Sequence, residues 1–216
     1  MAFAGHPTVG ASYVLIDEGM VPPATDRFMV DELVGSVAIR VESTAEGPLI
    51  WLKTPPIEDG PLVDRTICAA ALGLTSEDLA GPQPQLLSAG NPTLFIPLKT
   101  KEVVDSAWLE MAGLRMLLGN DSGPACVFVF AATLEGAYSR MFAPEYGIAE
   151  DPATGSSTRP LAAYMMRHKM ISKTRFISEQ GTKMGRRSIL HVDIRGDEID
   201  VGGYVTPLVR AVMTLP

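Results

Sequence analysis

Two segments of the chain pattern as helices without a wide polar face, and a helix of that kind has to be surrounded by other structure. Residues 7–17 carry Val9, Tyr13, Val14 and Ile16, with Pro7 suited to the first helical position and Gly19 to the stop. Residues 161–166, Leu161-Ala162-Ala163-Tyr164-Met165-Met166, are apolar almost throughout. Each lies among segments that alternate or pair about turns, so the chain reads as two similar lobes, each with an apolar helix among antiparallel strands.

The strands follow from local pattern. Residues 36–42 alternate and residues 49–53 return after a Gly47-Pro48 turn, which predicts a hairpin. Short helices are predicted over residues 64–73, stopped by Gly73, and from about Ser76, with Glu77 and Asp78 in its first turn. Residues 85–98 read as two short strands about Ser88-Ala89-Gly90-Asn91-Pro92. An amphipathic helix over residues 103–118 and the loop Gly119-Asn120-Asp121-Ser122-Gly123-Pro124 form the best boundary. It separates an N-terminal lobe, residues 1–100, from a C-terminal lobe, residues 101–216, whose last strand is a candidate to return to the first lobe. Residues 126–132 and 137–142 read as strands, and residues 189–195 and 198–202 as a closing hairpin about Gly196-Asp197.

Composition narrows the function classes. With 18 Lys+Arg against 25 Asp+Glu, the net charge is -7 and there is no basic run, so no nucleic-acid partner is expected. The longest apolar stretches, such as residues 125–132, are too short to span a bilayer, and the N-terminus shows no charged leader ahead of an apolar region. A cytoplasmic protein without membrane association is expected. Cys68 and Cys126, far apart and outside any CxxC pair, read as core thiols, so neither a disulfide framework nor a metal site is expected. His168, near the end of the second helix, and His191, in a strand, have no metal-ligand spacing.

The chemistry concentrates at the two helix starts. Glu150-Asp151-Pro152-Ala153-Thr154-Gly155-Ser156-Ser157-Thr158-Arg159-Pro160 places an acid, a tight turn and two hydroxyls ahead of the second apolar helix. The first N–H groups of a helix lack intrahelical acceptors and carry the positive end of its dipole, so a carboxylate docks there without a lysine. Asp151 would then stand beside the bound acid as proton donor or acceptor. An Asp/Ser/Thr-capped helix with Pro in its first turn accounts for the same residues. Gly5-His6-Pro7-Thr8 opens the first helix in the same manner. If the two starts faced one another they would form a cleft with converging donors, one imidazole and one carboxylate. Such a cleft suits an acid whose neighbouring carbon loses and regains a proton. His6 would bind the substrate or shuttle the proton, or would simply cap its helix.

These residues carry a family resemblance. Phe3-Ala4-Gly5-His6-Pro7-Thr8-Val9-Gly10, Met141-Phe142-Ala143-Pro144, the Glu150-to-Ser156 run, Glu179-Gln180-Gly181, and Met184-Gly185-Arg186 with Ser188 resemble the PhzF family of phenazine-biosynthesis isomerases, related to diaminopimelate epimerase. The resemblance covers nearly the whole chain in order. It implies an α+β, two-lobed diaminopimelate epimerase-like fold, each lobe a curved, mostly antiparallel sheet around a central helix, with the site between lobes and no cofactor. By motif, Asp151 and His6 take the catalytic positions, and Gly5, Gly155 and Ser156 bind the substrate, a small carboxylate-bearing metabolite.

Three departures accompany it. The family's catalytic glutamate, in a Glu-Thr-Thr-Phe-like motif, lies upstream of Gly-His-Pro-Thr together with the opening strands, and here only Met1 to Ala4 precede that point. Arg187 replaces the usual proline, and Arg159 the usual small residue before Pro160; each is a surface charge or a preference for a more anionic substrate. A first lobe without its opening strands is expected to leave unpaired edges and to pair with another chain as a homodimer. A start codon assigned too late explains the same shortness. The expected function is a cofactor-free, PhzF-like isomerase or epimerase in biosynthesis; the alternative is a catalytically impaired small-anion-binding or interaction protein. An epimerase with two thiols is disfavoured, because Cys68 and Cys126 fall outside both helix starts.

Overall fold

The structure is a computed structural model that describes residues 4–22, 24–109, 111–118 and 125–212. A helix, α1 (Gly5–Asp17), leads into the antiparallel strands β1 (Arg27–Glu32), β2 (Gly35–Thr44) and β3 (Gly47–Lys53). There follow β4 (Glu58–Leu62), α2 (Arg65–Ala71), β5 (Gln85–Ser88), β6 (Pro92–Leu98), α3 (Lys101–Ser106) and α4 (Met111–Leu118). The second half contains β7 (Cys126–Thr133), β8 (Gly136–Ala143), β9 (Ile148–Asp151), α5 (Gly155–Arg167), β10 (Arg175–Gln180), β11 (Ser188–Arg195) and β12 (Glu198–Gly203). Among the described residues the strands join in one sheet, ordered β1-β2-β3-β12-β11-β10-β8-β7-β6-β5-β4, with β9 beside β8. This is the α+β, epimerase-like architecture that the resemblance implies.

Two strand pairings make the sheet continuous. β6 runs parallel to β7, so residues 85–98 share a sheet with the second half of the chain. At the other junction β12 pairs antiparallel with β3, from Lys53 opposite Asp200 to Ile50 opposite Gly203, so residues 198–203 join the β2–β3 hairpin.

The sheet explains its own sequence pattern. β7 is buried on both faces, so it reads as a continuous apolar run instead of alternating. Phe128 and Phe130 point to α5, packing with Leu161, Tyr164 and Met165. Val127, Val129 and Ala131 point the other way, to α2 and residues following it such as Cys68 and Leu72, and to Val104 of α3. The α5 side chains Leu161, Ala162, Tyr164 and Met165 are all fully buried, and the Tyr164 hydroxyl donates to the Gln83 carbonyl at 2.6 Å.

The first helix is less well covered than its sequence predicts. Val9, Tyr13 and Ile16 pack against Val37, Ile39, Ile50, Leu52 and Val201, but Val14 is 54% exposed. Among the described residues, strands cover one side of α1 only. Arg210 adds an ion pair to Asp17 and another to Glu18, which lays residues 205–212 along the end of the helix.

Several local expectations are corrected. The predicted helix over residues 103–118 divides in two, because the Trp108 N–H leaves the helical ladder to donate to the Leu72 carbonyl at 3.0 Å. The loop of residues 119–124, read as a lobe boundary, lies outside the described residues. The hairpin turns on Ala45 and Glu46, and Gly47 instead begins β3 with φ 113°. Pro160 sits in the second turn of α5, not the first. Strands β1, β4, β9 and β10 carry no strong alternation and were not foreseen.

The unequal cover of the two helices has a measurable result. Leu161→Ala is expected to cost about 2–5 kcal/mol through the cavity it leaves, lowering the melting temperature by several degrees, whereas Val14→Ala is expected to cost under about 1 kcal/mol. Thermal unfolding followed by circular dichroism checks both.

Candidate active site

Helices α1 and α5 meet N-terminus to N-terminus. A methyl group on Gly5 would lie 3.2 Å from the Gly155 Cα, and one on Gly155 would lie 3.3 Å from the Gly5 Cα, so the contact admits glycine at both positions. Neither helix is capped by a side chain. Ala4 has no side-chain oxygen to offer, and the Thr154 hydroxyl is committed elsewhere, donating to Asp151 Oδ2 at 2.5 Å. The simple capping alternative therefore does not describe this helix start. Two positive helix ends converge on one place, an arrangement that favours an anion between them.

A cavity of about 380 Å³ opens on this junction. Its wall includes Gly5, His6, Asp151, Gly155 and Ser156, so the five residues singled out in the sequence come together. Asp151 is the only carboxylate and His6 the only imidazole among the described lining residues. A second cavity, of about 310 Å³, lies against the same junction, sharing Gly5, His6, Ala153 and Gly155. Leu52, Leu190 and Val201 give it an apolar floor, and Arg187, Ser188 and Tyr204 its polar edge.

Asp151 ends β9, and three sets of contacts fix its position. The Gln180 side chain, completely buried, donates to the Asp151 carbonyl at 2.6 Å and to Thr154 Oγ1 at 2.9 Å, while its oxygen accepts from the Thr154 N–H at 3.1 Å. Gly181 follows with φ 76°, and any Cβ there would strike the carbonyl of Arg186 and lie 2.9 Å from that of Pro152. Thus the Gln-Gly pair clamps the turn that holds the acid. One residue before Asp151, Glu150 is gripped by Arg140 of β8 at 3.0 and 2.8 Å. The same guanidinium donates to the carbonyls of Val104, Asp105 and Ala107, closing the C-terminal end of α3, where a cation suits the dipole.

The two unusual arginines behave differently. Arg159 donates to the carbonyls of Thr54 and Pro55, the latter at 2.7 Å, tying α5 to the segment after β3; burial holds its pKa below the ordinary arginine value. It is a structural tie and not a free surface charge. Arg187 is exposed, pairs with Glu179 at 3.2 Å and borders the second cavity.

Sequence reasoning missed several residues of the site. Asn91 lines the first cavity, although it was read only as part of a Gly-Pro turn. Cys126, read as a plain core thiol, also lines it; burial first, and then the charge of Asp151, push its pKa up to about 11, which keeps it protonated. Cys68 is buried among the helices on the other face of the sheet, with its pKa pushed up to about 12 by burial. Thr154 and Gln180 stood within quoted motifs, but nothing in one dimension links residues 26 apart.

A single sheet wrapped about two helices that meet end to end over a carboxylate and an imidazole places the chain in the two-lobed epimerase and isomerase class. Residues 1–207 match the PhzC-PhzF family, described as phenazine biosynthesis-like protein, and the chain belongs to that family. It is 27% identical over 231 residues to an uncharacterized isomerase of Clostridium acetobutylicum, covering 98% of this chain and 74% of the relative. With trans-2,3-dihydro-3-hydroxyanthranilate isomerase of Pseudomonas aeruginosa it shares 28% identity over 198 residues, 91% of this chain and 67% of that one. The solved structure of a predicted epimerase of Pseudomonas aeruginosa is similar with a TM-score of 0.81 at 28% identity, covering all of this chain and 76% of that one. These relatives support a general isomerase or epimerase function. No helix among the described residues is long and apolar enough to cross a membrane.

Two substitutions test the framework. Gly155→Ala brings a methyl group to 3.3 Å from the Gly5 Cα and is expected to cost about 1–3 kcal/mol in overpacking, read as a fall in melting temperature. Arg140→Met leaves Glu150 without its partner and is expected to cost about 3–5 kcal/mol. The double change Arg140→Met with Glu150→Leu should recover only part of that loss in the same denaturation measurement, because the carbonyls of Val104, Asp105 and Ala107 stay without their donor.

Proposed function

We propose that the chain is a cofactor-independent, PhzF-type isomerase that moves a proton on a small carboxylate-bearing metabolite. The observation that carries this reading is the pair of uncapped helix starts meeting at a cavity that also holds Asp151 and His6. The substrate carboxylate would lie against the free N–H groups at the starts of α1 and α5. Asp151, with one oxygen held by Thr154, would take the proton from the carbon beside that carboxylate. The charge would pass onto the carboxylate oxygens as an enediolate, where the helix N–H groups stabilise it. Protonation at the same carbon from the other face would be epimerisation; protonation further along a conjugated system would be isomerisation. His6 or the newly protonated Asp151 would return the proton, and a positioned acid or base of this kind contributes about 10²–10⁴-fold. A cytoplasmic location fits a small-metabolite enzyme of this type.

A second reading rests on the same cavity. One carboxylate and one imidazole among its described lining residues also suit a protein that binds a small anion without turning it over. Isotope exchange separates the two. Incubation in deuterated water with candidate unsaturated or hydroxylated acids is expected to place deuterium on carbon, and Asp151→Asn is expected to reduce that exchange by about 10²-fold or more. Equal exchange in the variant rejects Asp151 as the proton carrier. Calorimetric binding with no exchange in either protein supports the binding-only reading.

A further inference from the structure

We propose that Thr154 and Gln180 are positioning residues that decide which oxygen of Asp151 takes the proton. Gln180 turns the Thr154 hydroxyl onto Oδ2 and leaves Oδ1 as the reacting atom. This rests on Asp151 being the proton carrier, and adds the atom that carries the proton and the groups that select it.

The direction of this relay follows from counting donors and acceptors. Gln180 is completely buried and Thr154 is 7% exposed, so both depend on protein partners. The backbone N–H of Thr154 can only donate, so the Gln180 atom 3.1 Å from it is the side-chain oxygen. That places the amide nitrogen on the other branch. Its two protons have two acceptors, the Asp151 carbonyl at 2.6 Å and Thr154 Oγ1 at 2.9 Å. A hydroxyl that already accepts in this way has a single proton left to give. Among the described residues its acceptor is Asp151 Oδ2. Donation therefore runs from Gln180 to Thr154 to Asp151.

That order acts on the carboxylate. Oδ2 receives the hydroxyl proton and cannot carry one of its own along the same short contact without setting two protons against each other. Oδ1 takes no hydrogen bond among the described residues. Asp151 lines the first cavity beside Gly155 and Ser156, where the substrate carboxylate would lie. When the substrate C–H bond breaks, the Oδ1–H bond forms and the electron pair stays on the substrate as the enediolate. While Thr154 holds Oδ2, the carboxylate does not rotate to exchange its two oxygens.

The residue type at 180 fits this role narrowly, because a primary amide offers an acceptor and two donors at one end. A glutamate there would still accept from the Thr154 N–H, but it would draw the Thr154 hydroxyl to itself and leave Oδ2 bare. Gly181 follows at φ 76° against the carbonyls of Arg186 and Pro152, which fixes the backbone that presents the amide.

Neutron diffraction from crystals of the full chain in deuterated solvent reads the direction without any turnover. It is expected to show the Thr154 deuteron on the line to Asp151 Oδ2 and both Gln180 Nε2 deuterons on their acceptors. A Thr154 deuteron directed at Gln180, or a deuteron on Asp151 Oδ2, overturns the proposal. Isotope exchange with candidate acids reads the effect. Thr154→Val, close to isosteric, and Gln180→Glu should each lower kcat at least about tenfold and leave KM within about twofold. Thr154→Ser, which keeps the hydroxyl, should recover most of the loss seen in Thr154→Val. Circular dichroism confirms that the variants fold. A folded Thr154→Val chain with unchanged kcat, or a Thr154→Ser chain as slow as Thr154→Val, also overturns the proposal. A wild-type chain that exchanges no deuterium counts against the isomerase reading, and the neutron map still decides the direction of the relay.

Discussion

The backbone contact between Gly5 and Gly155 is the constraint on which the rest of the molecule depends. Two helix dipoles aimed head to head repel, and uncapped N–H groups at a buried junction lose hydrogen bonds to water. Such a contact persists because the sheet holds both helices from outside. Negative charge placed between them would relieve that repulsion. No lysine or arginine is among the described residues that line the first cavity.

Around that contact, fixed polar groups do the positioning. Gln180 occupies both donor and acceptor positions of the Asp151–Thr154 turn, and Arg140 fastens Glu150 while finishing the carbonyl end of α3. Thr154 illustrates the trade-off. Its hydroxyl serves Asp151 and leaves the start of α5 bare, which costs the helix a cap and frees the N–H groups for a ligand. Asp151 is thus held by short-range hydrogen bonds, whereas the two helix starts beside it are set by the close contact of Gly5 with Gly155.

Much of this was legible in one dimension. Apolar helices without polar faces, the β2–β3 and β11–β12 hairpins and the five junction residues follow from local pattern and from the family resemblance. What escaped was non-local. The clamp by Gln180 links residues distant in the chain, and the buried face of Cys126 depends on which side of β7 looks toward the cavity. β9 has four residues and β4 contains Gly60 and Pro61, too short or too irregular for a period to register. The lack of a wide polar face on α1 predicted a mostly buried helix, but Val14 is 54% exposed: a sequence pattern reports what a helix needs and not how much of that cover the described chain supplies.

The pairing of β12 with β3 also sets an order on synthesis. Residues 47–53 leave the ribosome well before their neighbour in the sheet, residues 198–203. Until then the hairpin has one open side and the apolar surface of α1 lacks the contact from Val201. Sheets that wait on such distant partners form slowly and expose sticky surface in the interval. The β2–β3 hairpin is therefore completed only after the second half of the chain is made.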